Sequence, residues 1–266
     1  MRRARTLKLC CLDKFVIKPP MTNHDQNTAP LQSVSSPLRS LSNHAITSPT
    51  TQVYNDLRRR IIDLELVPNT VLSRAELATF YNVSQSPLRE ALQRLERDGL
   101  IKVHPQSKTL VSMIDVQQLK ETQFLRVALE IEVASRLAET ENSDPVKRAS
   151  MIIRMQEACL NDDSQTDLFN EMDRAFHTCL FEAVGMENLN ELLVGKLGHL
   201  ARCQRLELPK AGRMEAIILG HKEILQAIES GDANEAAKAT RQHLTGTILR
   251  ISTLQAENPE YFTNYE

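Results

Sequence analysis

The stretch Ser84–Gly99, SQSPLREALQRLERDG, admits few structures. Ser84 or Ser86 is suited to cap a helix, and Pro87 falls in the first turn, where its missing N–H does no harm. Leu88, Ala91, Leu92 and Leu95 then recur at helical spacing as one buried stripe, and Gly99 supplies the stop. What flanks this helix narrows the choice further. LIKVH and TLVSM beyond it are short β-prone runs joined by PQSK, which predicts a hairpin. Before it, a helical pattern begins at Thr51 with Val53, Leu57, Ile61, Ile62 and Leu64 facing inward and Arg58, Arg59 and Arg60 around them. VPNT breaks that pattern at Pro68, and a short helix from Ser73 to about Tyr81 buries Leu77 and Ala78. Three helices plus a two-stranded hairpin form a winged helix-turn-helix, in which the second helix of the pair enters the major groove of DNA.

The rest of the chain reads as helix from Asp115 to about Leu254. Breaks near Asn142–Pro145, Asn161–Gln165, Gly185–Asn188, Pro209–Gly212 and Gly231–Asp232 divide it into six helices joined by short loops, an all-α bundle. The fold class expected is therefore mainly α, with a winged helix-turn-helix over residues 49–113 and a helical domain over 114–256. Residues 1–48, basic and rich in Ser and Pro, lack apolar periodicity and are expected to be a disordered tail, and 257–266 a C-terminal tail.

Charge is unevenly placed. Residues 46–113 hold 9 Lys/Arg against 7 Asp/Glu, whereas 114–266 hold 16 against 25, so any polyanion is met by the front of the chain. No apolar run approaches the roughly 20 residues that span a bilayer. The basic start lacks a signal-peptide core, its apolar run being interrupted by Asp13 and Lys14. The five cysteines, odd in number and without metal-site spacing, fit reduced thiols in a cytoplasmic protein.

Inside the helical domain, FNEMDRAFHTCLF carries Asp173 and His177 four residues apart on the same face as Phe169, Phe176, Leu180 and Val184. Burying an acid or an imidazole without a partner costs roughly several kcal/mol, so this face needs partners from elsewhere. His221 is surrounded at helical spacing by Met214, Ile217, Ile218, Ile224, Leu225 and Ile228, and His243 shares a face with Ala236, Ala239, Thr247 and Leu254. One Asp and three His suit Zn, Ni, Mn or Fe(II). Arg126 and Glu130 lie on the apolar face of the first helix of the bundle with Leu119, Leu129, Val133 and Leu137. Arg126 either pairs with Glu130 at i+4 or holds a bound carboxylate bidentately. Arg202 and Arg205, a turn before the Pro209 break, are further candidates for the same pocket.

The segment VLSRAELATFYNVSQSPLREALQRLERDGLIKVHPQS resembles the N-terminal winged-helix domain of GntR-family transcription regulators. The helical remainder is similar to the FCD ligand-binding domain of their FadR-type branch, and the resemblance spans about Gln52 to Ser252. Several positions depart from the family pattern. Asn69 replaces the usual Gly after Pro68, the recognition helix opens Ser84-Gln85-Ser86 rather than Ser-Arg-Thr, Lys108 stands at a wing tip that often has Gly, and Ala75, beside Arg74, takes the place of an Arg. The binding mode carries over; the operator sequence does not.

The resemblance implies a bacterial homodimer that binds a palindromic double-stranded operator, a repressor. Gln85, Ser86 and Arg89 would face bases, Gln pairing with adenine and Arg with guanine, while Arg74 and Lys108 would meet phosphates. It implies that Asp173, His177, His221 and His243 bind one divalent metal, and that a small organic-acid effector sits beside it near Arg126 and Glu130. Two other expectations compete with this one. One reads the Asp and His set as the centre of a metal-dependent hydrolase, and the other reads the bundle as a dimerisation module with inert histidines.

Overall fold

The computed structural model describes residues 48–104, 108–140, 143–160 and 162–263. The expected tail over 1–48 and the PQS of the wing loop lie outside them, apart from Ser48. That serine starts the fold: its Oγ accepts the Thr51 N–H at 3.2 Å and caps α1 (Pro49–Ile62), which has Pro in its first turn. Val53, Tyr54, Leu57, Ile61 and Ile62 form the buried stripe of α1. A turn with Asn69 at φ 66° leads into β1 (Val71–Leu72), so the Asn that stands in place of glycine does adopt the left-handed conformation. Ser73 then caps α2 (Arg74–Phe80), and α3 (Gln85–Arg97) follows. Gly99, at φ +76°, ends α3 where a side chain would be strained.

The wing is larger than the hairpin that alternation predicts. β2 (Ile101–Val103) and β3 (Thr109–Val111) pair antiparallel, and β1 adds to the far edge of β3, giving the order β1-β3-β2 with Val71 opposite Leu110. This small sheet closes one side of a core in which Leu57, Ile61, Leu88, Leu92, Leu95 and Leu100 are almost wholly buried. Each such side chain contributes about 1.5–3 kcal/mol of burial. Tyr54, whose hydroxyl donates to Asp98 at 2.6 Å, ties α1 to the end of α3, and Arg94 stacks over its ring at 3.8 Å.

Eight helices follow among the described residues: α4 (Val116–Ala138), α5 (Asp144–Ala158), α6 (Thr166–Ala183), α7 (Glu187–Lys196), α8 (Gly198–Glu207), α9 (Arg213–Glu229), α10 (Ala233–Leu249) and α11 (Ile251–Glu257). Two of the six expected helices are thus divided, one at Leu197 and one at Arg250, at turns without proline. At the first turn Gly198 packs directly on Leu100 of the wing, with room for no Cβ. The long α4 lies against α10, α9 and α6, while α5 packs across α6 and α9. Phe169, Phe176, Phe181 and Ile224 centre the core these helices share.

The C-terminal tail expected over 257–266 is part of the fold as far as Thr263. Phe262, 2% exposed, inserts beside Ile114, Leu119, Cys203, Ile251 and Leu254, and Ile114 pairs with Phe262 as a parallel bridge. The Ile114 N–H donates to the Tyr261 carbonyl at 2.7 Å, and the Thr263 N–H donates to the Ile114 carbonyl at 3.0 Å. The chain end therefore binds the short linker between the wing and α4.

Candidate functional site

Asp173, His177, His221 and His243 come together. Asp173 and His177 sit on successive turns of α6, His221 on α9 and His243 on α10, and their candidate ligand atoms all lie within 4.8 Å of one another. Ligands at roughly 2.1 Å from a metal stand about 3–4 Å apart, so a small inward rotation closes the set. His221 Nε2 is 3.5 Å from Asp173 Oδ1. His221 is wholly buried, stacked on the Phe176 ring at 3.8 Å between centroids.

Two neighbours orient the rings. His177 Nδ1 lies 2.6 Å from Glu130 Oε2, close enough for an ion pair but outside hydrogen-bond geometry, and His221 Nδ1 lies 2.8 Å from Gln156 Oε1. The Gln156 contact assigns the His221 proton to Nδ1 and leaves its Nε2, like that of His177, to the quartet, the arrangement that metal-ligating imidazoles use. Both of those Nε2 atoms are buried and without a hydrogen-bond partner among the described residues. A buried polar atom left so is costly unless something occupies the space it faces. Burial, then the neighbouring imidazoles and Arg126, push His221 and His243 well below the ordinary histidine range, which keeps both neutral and able to ligate. The residues present therefore fit a divalent metal.

Arg126 and Glu130 form one unit with this set. Arg126 Nε donates to Glu130 Oε1 at 2.6 Å, and both side chains are almost fully buried. Burial alone would raise the Glu130 carboxyl, but Arg126 and His177 outweigh it and hold it at about 2. The i+4 pairing open to Arg126 is thus formed, and Glu130 serves His177 through its other oxygen.

A cavity of about 50 Å³ opens from this cluster. Arg126, Glu130, Asp173 and His177 line its inner end, Thr178, Asn190 and Gln204 its walls, and Arg205, Arg174 and Asp63 its outer part. Arg205 reaches it while bonded to Asp167 at 2.5 Å. Arg202 does not. It is wholly buried on another side of α8, donating through Nη1 to the Ser112 carbonyl at 2.6 Å and contacting His199 Nδ1 at 2.9 Å. Its long side chain points at the seam with the wing, a direction that the spacing of Arg202 and Arg205 does not reveal.

Gln156 and Gly220 escape the sequence reading. Gln156 sits on α5 at a position that helical spacing marks only as inward. Gly220 is needed by a neighbour: a Cβ there would lie 2.5 Å from His243 Nδ1. Arg58, one of the three arginines around the apolar face of α1, lines the cavity from the winged-helix domain, and its Nη2 donates to the Val194 carbonyl on α7 at 2.7 Å.

In the winged helix Gln85, Ser86 and Arg89 are exposed on the first turns of α3, and Arg74 of α2 and Lys108 before β3 are exposed as well. Arg74 and Lys108 share one cleft with Ser73, His104 and Thr109, beside the wing. Ser86 Oγ also donates to Glu90 at 3.4 Å.

A winged helix joined to an all-helical domain is the plan of a DNA-binding transcriptional regulator. Residues 49–111 match the model of bacterial regulatory proteins of the gntR family, and residues 121–246 match the FCD domain. An HTH-type transcriptional regulator from an unstable DNA locus of Streptomyces ambofaciens is 32% identical over 79% of this chain and 88% of its own. The HTH-type transcriptional repressor RspR of Escherichia coli K12 is 27% identical over 82% of this chain and 95% of its own. The solved structure of E. coli McbR/YncC superposes with a TM-score of 0.66 at 21% identity, covering 78% of this chain and 99% of that one, a likeness of fold. The chain belongs to the GntR family and carries its FCD domain. The family and these relatives are regulators rather than enzymes, which sets aside the hydrolase expectation. Among the described residues no helix is long and apolar enough to cross a membrane.

Proposed function

We propose that this regulator is a homodimeric repressor in which Asp173, His177, His221 and His243 hold one divalent metal and a small carboxylate binds beside it, changing operator affinity. The observation that carries the reading is the pair of buried, unpartnered Nε2 atoms of His177 and His221, with Gln156 behind His221 setting its tautomer and the Glu130 carboxylate beside His177. A bound metal would supply positive charge and open coordination positions to an acid, and the chain's own Arg126 lines the same inner end of the cavity. The E. coli relative RspR is itself a repressor, which favours that sign of regulation.

Exposed Gln85, Ser86 and Arg89 on the first turns of α3 suit base edges in the major groove, and Arg74 and Lys108 suit flanking phosphates. Two-fold operators are read by paired heads, and α4 carries Phe124 at 78% exposure beside Leu125 at 44%, an apolar surface that a second copy would cover.

The test is metal analysis of the purified protein together with a thermal-shift screen of small carboxylates with and without EDTA. Stoichiometric divalent metal, and stabilisation by an acid that vanishes on chelation, is the expected result. Near-zero metal with no shift on adding Zn or Ni would favour inert histidines in a dimerisation module.

A further inference from the structure

The outer end of the cavity has an excess of positive charge that the metal reading leaves unused. Four arginines line the cavity, and two of them are committed to acids: Arg126 to Glu130, and Arg205 to Asp167. Arg58 and Arg174 stand in no ion pair among the described residues, although the Asp63 carboxylate lines the same outer part. Both also line the neighbouring surface cleft with Asp63, and burial at the domain seam is what chiefly lowers the Arg58 guanidinium. Two guanidinium groups facing one carboxylate keep an excess of one positive charge, which an anion held between them would offset. They also come from different parts of the molecule. Arg58 belongs to α1 of the winged helix, and Arg174 belongs to α6, one residue after Asp173.

Resting on the metal-and-carboxylate reading above, we infer that the effector carries two anionic groups, one at the metal end beside Arg126 and a second, carboxylate or phosphate, held jointly by Arg58 and Arg174 across the seam. The ligand itself then ties α1 of the DNA-binding domain to the helical domain. Such a tie gives the effector different affinities for a docked and an undocked head, which is the condition for it to alter operator binding. A monoanion of the same length meets only the inner end and lacks that leverage.

The experiment is calorimetric titration of the full-length metal-loaded protein with straight-chain dicarboxylates from malonate to adipate, paired with monocarboxylates of equal length, and with 3-phosphoglycerate paired with glycerate. At least one dianion should bind about tenfold or more tighter than its paired monoanion, as charge-assisted hydrogen bonds to a second group allow. Arg174→Gln, at an exposed position that tolerates the change, should reduce that preference to within about threefold while leaving metal content and monoanion affinity unchanged. Arg58→Gln should do the same and also remove the effect of the dianion on operator affinity. Equal binding within every pair, or a preference that survives both substitutions, overturns the second anionic subsite alone. Failure of both series to bind metal-loaded protein overturns the carboxylate reading and this inference together.

Discussion

A methyl group on Gly220 would stand 2.5 Å from Nδ1 of His243, so α9 and α10 approach closely enough to shape the histidine quartet only because this position has no side chain. Gly220→Ala should displace the His243 ring while favouring the α9 helix itself by up to about 1 kcal/mol. Metal affinity, measured by competition with a chromogenic chelator, is expected to fall about 10–100-fold, the range for residues that hold ligands in place, with the melting temperature of the metal-free protein little changed. Retained affinity would mean that His243 is not a ligand.

Gln156 makes a second, independent test. Its Oε1 contact assigns the His221 proton to Nδ1, and Gln156→Leu keeps the volume while removing the acceptor. The substitution should weaken metal binding by a similar about 10–100-fold, whereas Gln156→Glu, which still accepts the proton, should retain most of it. Comparing the two by the same competition assay separates loss of orientation from loss of packing.

The DNA face is tested by a contrast between two basic residues. Arg89→Ala should cost about 1–3 kcal/mol of operator binding and relax preference at one base pair. Lys108→Ala should weaken all sequences alike and reduce the salt dependence by about one counterion. Gel shifts over a range of salt distinguish the two. An unchanged shift for Arg89→Ala at physiological salt would remove α3 from the groove.

His199 predicts a pH dependence at the domain seam. Its Nδ1 accepts the Asp115 N–H at 3.1 Å, and burial together with Arg202 lowers the ring to about 3. A free imidazole titrates near 6.5, so as pH falls the unfolded chain takes up this proton before the folded one does. The contribution is complete above about pH 6.5 and is lost progressively below it, at up to about 1.4 kcal/mol per pH unit. Urea unfolding at pH 7, 6 and 5 should show this slope for the wild type and a shallower one for His199→Gln.

The recognition helix was legible because its signals are local: Pro87 at the start, Gly99 at +76° at the end and four apolar residues between them. β1 is two residues long and exists through its pairing with β3, a non-local partner that Val71 and Leu72 do not disclose. Phe262 lies in a polar stretch, and only the surface it meets, Ile114 and Leu254, makes it core. The Asp173 and His177 pair was readable as polar groups on an apolar face, and the resemblance supplied the partners. Gln156, Gly220 and Arg58 were not, because helical spacing says which way a residue faces and not what stands opposite. Arg202 and Arg205 make the same point on α8, three residues apart yet directed to different neighbours.

The bridge between Ile114 and Phe262 gives the last residues of the chain an influence out of proportion to their length. One short linker joins the two domains beside the contacts of Arg58 with Val194 and of Gly198 with Leu100, and that linker is gripped by residues 261–263 rather than left to swing. A DNA-binding domain that reoriented would have to slide against this clasp or release it. A stop codon placed after Glu257 would accordingly leave the helices able to assemble but loosen the coupling to the operator, a regulatory defect arising where no ligand and no base is touched.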